Sequence, residues 1–216
     1  LGLVENDNRP TEDLAALEGT DGLVDLVQLE APRDQFVQRQ HALRDLRALR
    51  HREPQMPEGM RRQQPPARRA VEVGRLRTLS PNFYGLPTNR SQRHTLEVDA
   101  PLILDMLRAD QVDAVVLIPN CPICHQSQSL LARFLEGAGI STVIMGAAKD
   151  IVEYCGVPRF LFSDFPLGNA AARPNDFASQ DFNFELALRL LEAAPVARTT
   201  VQSSLVWSDD PRWKLD

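Results

Sequence analysis

The sequence lacks the features that mark membrane-spanning, secreted and disulfide-stabilised proteins. No uninterrupted apolar stretch approaches the roughly 20 residues that cross a bilayer. Residues 1–10 are acidic and polar, whereas a secretory signal would be basic and then apolar. Three cysteines in 216 residues are too few for a disulfide scaffold. We therefore expect a cytoplasmic protein with reduced cysteines and no membrane partner.

Aromatic residues are also scarce where positive charge is dense. Arginine is crowded into residues 33–77, yet no Phe, Tyr or Trp lies between Val37 and Thr78. Proteins that bind single strands interleave aromatic side chains with positive charge, and the net charge of −5 opposes generic nucleic-acid binding. We expect no nucleic-acid partner, and the basic region favours a solvated or partner-facing helix.

The chain divides by composition into three parts. Residues 1–70 form an N-terminal arm, in which an amphipathic helix over residues 33–52 precedes a Pro- and Arg-rich exposed connection over residues 53–69. We expect residues 71–194 to form an α/β domain that carries the catalytic site. Residues 195–216 form a tail, in which Trp207 and Trp213 are expected to pack on the domain or on a second subunit.

Predicted helices and strands alternate within the domain. The predicted strands, residues 112–118, 141–145 and 159–163, are continuous apolar runs, as expected when both faces of a parallel sheet are covered. Helices are predicted over residues 126–137, 148–154 and 181–193. This pattern predicts an α/β fold, a parallel sheet flanked by helices of the Rossmann-like or flavodoxin-like kind, with an N-terminal helical arm.

Polar residues follow each of these three strands, in residues 120–125, 146–149 and 164–169. Ligands of such sheets bind outside the carboxyl ends of the strands, so we expect one cleft there. Arginine suits a substrate carboxylate because its planar guanidinium donates two parallel hydrogen bonds. The candidate substrate-binding residues are Asn120, Lys149, Arg159, Asp164, Asn169 and Arg173.

The motif Cys121-Pro122-Ile123-Cys124-His125 lies between a predicted strand and a predicted helix. The N-terminus of a helix favours a thiolate, so we expect a pKa for Cys121 well below about 8.5. In a redox interpretation Cys121 is the attacking thiolate, Cys124 resolves the mixed disulfide and His125 supplies a proton or electrostatic support.

Three other interpretations of the motif stay open. Cys121, Cys124, His125 and Cys155 could bind zinc or iron, although a second paired ligand motif is missing. The letters Cys-x-x-Cys-His are also those of c-type haem attachment, but the motif continues a buried strand with no export signal before it. Lastly, the cysteines could simply be small, partly buried residues at a tight turn.

Three runs of sequence support a family resemblance: residues 112–126, residues 137–143 and the stretch Phe165-Pro166-Leu167-Gly168-Asn169. Over roughly residues 96–194 the chain resembles the glycine/sarcosine/betaine reductase selenoprotein B family, including its D-proline reductase relatives. The family pairs a selenocysteine or cysteine with a nearby cysteine at this strand end. By that resemblance, Cys121 stands where the selenocysteine often stands, and Cys124 is its redox partner.

The resemblance implies an oxidoreductase that cleaves a carbon–heteroatom bond of a small molecule, with electrons from dithiols. We expect no cofactor, and a dithiol or a thioredoxin-like protein as electron donor. We also expect a homo-oligomer or a subunit of a larger complex. The alternative function is a zinc- or iron-binding enzyme or subunit that uses Cys121, Cys124 and His125 or Cys155.

Overall fold

The computed structural model describes residues 50–51, 64–87 and 90–214. The rest of the predicted N-terminal arm lies outside these residues. The described elements in chain order are β1 (Arg50–His51), α1 (Gln64–Glu72), β2 (Phe83–Tyr84), α2 (Gln92–His94), a π-helix (Thr95–Asp99), α3 (Ala100–Ala109), β3 (Ala114–Leu117), α4 (Pro122–Gly137), β4 (Ser141–Gly146), α5 (Lys149–Cys155), β5 (Arg159–Phe162), α6 (Phe177–Ala193), β6 (Thr199–Gln202) and a 3₁₀ helix (Pro211–Lys214).

Strands β3 to β6 form a four-stranded sheet in the order β3-β4-β5-β6, and every neighbouring pair is parallel. All four carboxyl ends therefore lie at one edge. The predicted α/β class and parallel sheet are confirmed. Strand β6 was not predicted, because its short polar sequence Thr-Thr-Val-Gln lacks the apolar run that identified the other strands. It lies in the segment that the sequence analysis assigned to the tail.

Helices cover both faces of this sheet. Alternate residues of β4 point to opposite sides, as they must in a strand. Ile144 joins a buried cluster with α3, α4 and α5, whereas Val143 and Met145 join a second cluster with α1 and α6. The two clusters make a three-layer arrangement in which the sheet is buried on both sides.

Helix α1 corrects the prediction of an exposed connection over residues 53–69 at its residues 64–69, and residues 53–63 lie outside the described residues. Ala67 and Ala70 are each 7% exposed and pack in the cluster that includes α6. Arg69 pairs with Asp181 of α6, with its Nε 2.9 Å from each carboxylate oxygen. From the sequence, the prolines favoured irregular structure. Proline is tolerated in the first turn of a helix, and this helix begins Gln-Pro-Pro.

The loop before the domain helices is fastened to the end of α3. Asp110 accepts hydrogen bonds from the side chains of Ser80, Asn82 and Tyr84. Because α3 leads into β3, this anchor lies at the amino edge of the sheet. Just ahead of Tyr84, Phe83 pairs with His51 in a small antiparallel sheet, so the helix predicted over residues 33–52 is wrong at its last residues.

Within the part of the chain that the structure describes, no helix combines the length and the apolar character needed to cross a membrane.

Candidate redox-active cysteine site

The cysteine pair lies at the carboxyl edge of the sheet, where β3 gives way to α4. Cys121 is the N-cap of α4, with an extended backbone (φ −120°, ψ 166°), and its Sγ accepts the backbone N–H of Cys124 at 3.2 Å. Pro122 follows at the first helical turn, where a missing N–H costs nothing. The helix thus begins before the predicted residue 126, because the cap and the proline start it at the cysteines.

The two sulfur atoms are adjacent. Sγ of Cys121 lies 2.6 Å from Sγ of Cys124, and both residues are half-buried thiols. A disulfide bond is about 2.05 Å long, so little movement separates this arrangement from the bonded one. The geometry therefore suits reversible oxidation of the pair.

The predicted low pKa for Cys121 is wrong. Burial raises the pKa of the Cys121 thiol above its ordinary value, and the side-chain hydrogen bond with Cys124 raises it further. Backbone hydrogen bonds from Cys124 and Ile123 act in the opposite direction but do not outweigh burial. Because a sulfur that leaves water loses solvation of its charged form, Cys121 is mainly a neutral thiol near pH 7.

His125 is fully buried, and backbone groups occupy both of its ring nitrogens. Nδ1 lies 2.8 Å from the carbonyl oxygen of Cys121, so this nitrogen must carry the proton and donate. Nε2 accepts the backbone N–H of Ala147 at 3.0 Å and that of Ala148 at 3.3 Å. Burial lowers the pKa of His125, more than the Cys121 carbonyl and Asp150 raise it.

This geometry conflicts with the predicted roles of His125 as a proton source and as a metal ligand. A neutral ring with both nitrogens occupied can neither pass a proton to Cys121 nor coordinate a metal without losing a buried hydrogen bond. What the ring does is connect two strand ends. It joins the end of β3, through Cys121, to the loop after β4, through Ala147 and Ala148.

Two predicted substrate-binding residues lie next to these connected strand ends. Asn120 is exposed and directly precedes Cys121. Lys149 begins α5 directly after Ala148; its Nζ lies 4.0 Å from Glu153 and 5.6 Å from the ring centroid of Phe162. The fold therefore places a cation and an exposed amide next to the strand ends that His125 connects, and their role as substrate ligands stays a prediction.

The predicted residues after β5 contact the C-terminal segment instead. Asp164 forms an ion pair with Lys214 at 2.5 Å. Arg173 donates from Nε to the backbone carbonyl of Trp207 at 3.1 Å and also donates to the carbonyl of Val206. Its Nη1 lies 3.6 Å from Asp176. The guanidinium of Arg173 thus already donates to the C-terminal segment, and its role as a carboxylate-binding group stays a prediction. Asn169 is half-buried in a turn, where its N–H donates to the Pro166 carbonyl at 3.0 Å.

Arg159 lies at the wrong edge of the sheet for the predicted role. It is the first residue of β5, so it stands at the amino end of that strand, and the cysteines follow the carboxyl end of β3. Its Nη1 pairs with Glu136 at 2.7 Å, and both side chains are largely buried. Arg159 is therefore a structural ion-pair partner. The predicted strand over residues 159–163 already placed it at the amino end, away from the expected cleft.

Cys155 is also far from the pair. It ends α5, and its thiol bonds to Ser129, while its backbone carbonyl accepts from Arg133 at 3.1 Å. Ser129 lies eight residues after Cys121, which is about 12 Å along a helix axis, whereas zinc–sulfur bonds are about 2.3 Å. The predicted metal set of Cys121, Cys124, His125 and Cys155 therefore does not converge. Among the described residues, no group of three or more such side chains is placed to hold a metal.

A buried polar network at the carboxyl edge of the sheet was not predicted from the sequence. Asn183 of α6 donates to Ser163 Oγ at 3.3 Å and to the Ala171 carbonyl at 3.0 Å, and it accepts from Ser203 at 2.6 Å. Ser163 and Ser203 directly follow β5 and β6. The network fixes the last two strand ends, and the only sequence signal for it was a polar residue in an apolar helix.

These features define an α/β protein with a paired-thiol site at the carboxyl edge of a parallel sheet. The chain is 31% identical, over 112 residues, to the D-proline reductase subunit gamma of Acetoanaerobium sticklandii. The aligned region is 51% of this chain and 46% of that protein, so the chain spans about half the length of the curated relative that it matches. The resemblance to the glycine/sarcosine/betaine and D-proline reductase family is thereby confirmed. No family model matches the chain, and no solved structure matches it.

Proposed function

We propose that the chain contributes the thiol site of a reductase that cleaves a carbon–heteroatom bond in a small molecule. The observation that carries the proposal is the adjacency of the Cys121 and Cys124 sulfur atoms at a helix N-terminus on the carboxyl edge of the sheet. Parallel sheets of this kind generally bind ligands at that edge. The relative named D-proline reductase subunit gamma supports a reductive role. The two cysteines supply both electrons, so the reaction requires no cofactor from this chain.

In the proposed reaction, the substrate R–X reacts with the two thiols to give R–H, H–X and a disulfide between Cys121 and Cys124. Cys121 loses its proton as it attacks the substrate, and the displaced X takes up that proton and leaves as H–X. Cys124 then attacks the Cys121 sulfur, and the carbon fragment leaves with the bonding electrons and takes a proton. An external dithiol reopens the disulfide and is itself oxidised to a disulfide. The two thiols thus lose two electrons, and the substrate gains them.

We further propose that the chain works as a subunit of a larger assembly or as a homo-oligomer. The word "subunit" in the name of the relative supports this. A small dithiol or a thioredoxin-like protein would serve as electron donor. Because Cys121 and Cys124 are half-buried, the donor must reach sulfur atoms that are only partly accessible.

The experiment that tests the proposal follows dithiothreitol oxidation by the purified chain with D-proline as the first substrate tried. Cys121→Ser should abolish turnover. Cys124→Ser should stop the reaction before R–H is released, with the carbon fragment still bonded to Cys121, because the resolving thiol is absent. Cys155→Ser is the matched control and should keep turnover. Turnover that survives in Cys121→Ser would refute the mechanism. A second measurement needs no substrate: after mild oxidation, mass spectrometry should find Cys121 and Cys124 in one disulfide.

A further inference from the structure

One buried ring joins the nucleophile-bearing residue to the neighbouring strand end. The Cys121 carbonyl accepts two hydrogen bonds from the same residue, one from the His125 backbone N–H at 3.0 Å and one from its ring Nδ1 at 2.8 Å. The opposite side of the ring accepts two backbone N–H groups in the loop after β4, at Ala147 and Ala148. Three hydrogen bonds therefore hold the ring between the two segments, and the backbone bond from His125 to the Cys121 carbonyl is the fourth contact.

The position of the ring is also enforced from the sheet. A Cβ atom added at Gly146 would lie 3.1 Å from Cδ2 and 3.2 Å from Nε2 of His125, and 3.0 Å from the ring of Phe160. Real Cβ contacts are rarely this short, so a side chain at the end of β4 would require the imidazole and the Phe160 ring to shift by a few tenths of an ångström. Gly146 thus provides the space that the imidazole occupies.

We propose that His125 is a positioning residue that holds the Cys121 sulfur close enough to Cys124 to form a disulfide. The same ring holds the start of α5, with Lys149, against this site. The proposal rests on the proposed function, in that the cysteine pair is taken as the redox site. It assigns the ring no contact with substrate and no proton transfer to sulfur. The ring acts by keeping the two thiols close together. The effective concentration of one thiol near the other determines how readily the disulfide forms.

The test uses two variants that keep different halves of the connection. In His125→Asn, the short amide can donate to the Cys121 carbonyl but cannot reach the Ala147 and Ala148 amides. In His125→Gln, the longer amide can accept from those amides but leaves the Cys121 carbonyl without its ring donor. The measured quantity is the equilibrium constant for exchange of the Cys121–Cys124 dithiol with oxidised dithiothreitol, read by mass spectrometry.

We expect His125→Gln to lower that constant about fivefold or more, and His125→Asn to stay within about twofold of wild type. Hydrogen exchange at the Ala147 and Ala148 amides should show the reverse order, with faster exchange in His125→Asn. A residue that only stabilises the fold would move both variants alike. Equal exchange constants in the two variants, whether unchanged or equally reduced, would overturn the proposal.

A second variant leaves the histidine itself intact. Gly146→Ala should displace the ring and lower the same constant about fivefold, because it crowds Nε2 and Cδ2. The matched control is Gly137→Ala at the far end of α4, where an added Cβ meets nothing within 4 Å, and it should leave the constant unchanged. An unchanged constant in Gly146→Ala would count against the proposal. Since no substrate enters these measurements, failure of the positioning role and failure of the reductase proposal are separate results.

Discussion

Arg173 donates from Nε to the backbone carbonyl of Trp207 at 3.1 Å, and the Trp207 indole packs edge-on against Phe165 with 5.4 Å between ring centroids. This pair of contacts holds the segment after β6 on the loop after β5. The expectation that Trp207 packs on the domain is confirmed by this contact. A side chain that the sequence suggested for a substrate carboxylate therefore serves to fix the C-terminal segment at the edge of the candidate site.

Removing the Arg173 guanidinium should release that segment. We expect Arg173→Gln to lower the free energy of unfolding by about 1 to 3 kcal/mol, because hydrogen bonds from a charged donor to two carbonyls are lost. Urea denaturation measures this change, and limited proteolysis should cut within residues 203–214 faster than in wild type. Arg189→Gln is the control, since Arg189 makes an exposed pair with Glu185 worth about 0.3 to 0.5 kcal/mol. Equal behaviour of the two variants would contradict the role of Arg173.

Removing the neighbouring thiol should lower the pKa of Cys121. Burial is the largest cause of the raised pKa, and the side-chain hydrogen bond with Cys124 is the next. Cys124→Ala removes the second cause, so the pH at which alkylation of Cys121 is half-maximal should fall toward the ordinary value. Iodoacetamide rates against pH, measured in a Cys155→Ser background, give this number. An unchanged or higher midpoint in Cys124→Ala would show that the pair does not interact in this way.

The buried His125 should make stability depend on pH near neutrality. Its pKa is lowered in the folded state, so the unfolded chain binds the proton first as pH falls below about 6.5. Stability from the neutral ring is therefore complete above that pH and is lost as pH falls toward the lower folded pKa. We expect the stability difference between wild type and His125→Gln to shrink between about pH 7 and pH 5. Urea denaturation at several pH values checks this, and a constant difference would contradict it.

The Arg159 ion pair should affect stability without affecting the thiols. Arg159→Leu leaves Glu136 largely buried without its partner, so we expect a loss of about 1 to 3 kcal/mol in the free energy of unfolding. The loss should be smaller when Glu136→Gln is present too, because the uncompensated charge is then removed. Since Arg159 lies at the opposite edge of the sheet, the alkylation rate of Cys121 should stay within about twofold of wild type. A larger change in the alkylation rate of Cys121 would show that Arg159 does affect the cysteine site.

The cysteine site shows where sequence reasoning succeeded and where it ended. The strand that ends at Leu117 and the helix that follows it were predicted from the sequence, which placed the cysteines at their junction. The start of that helix at Pro122, with Cys121 as its N-cap, was not predicted. The raised pKa of Cys121 was not readable, because it depends on how much water the surrounding fold removes from the sulfur. His125 was assigned a chemical role from its neighbours in sequence, whereas its partners at Ala147 and Ala148 come from the next strand end.

Local pattern alone determined the α/β class, the parallel direction of the strands and the junction that carries the two cysteines, because these depend on apolar periodicity and on capping residues next to each other in the chain. Only the tertiary structure decided which polar side chains are available to a ligand. Arg173 and Asp164 are occupied by residues far along the chain, and Arg159 by Glu136. Hydrogen bonds form between groups that are close in space, and residues far apart in the chain become close only when the sheet has assembled.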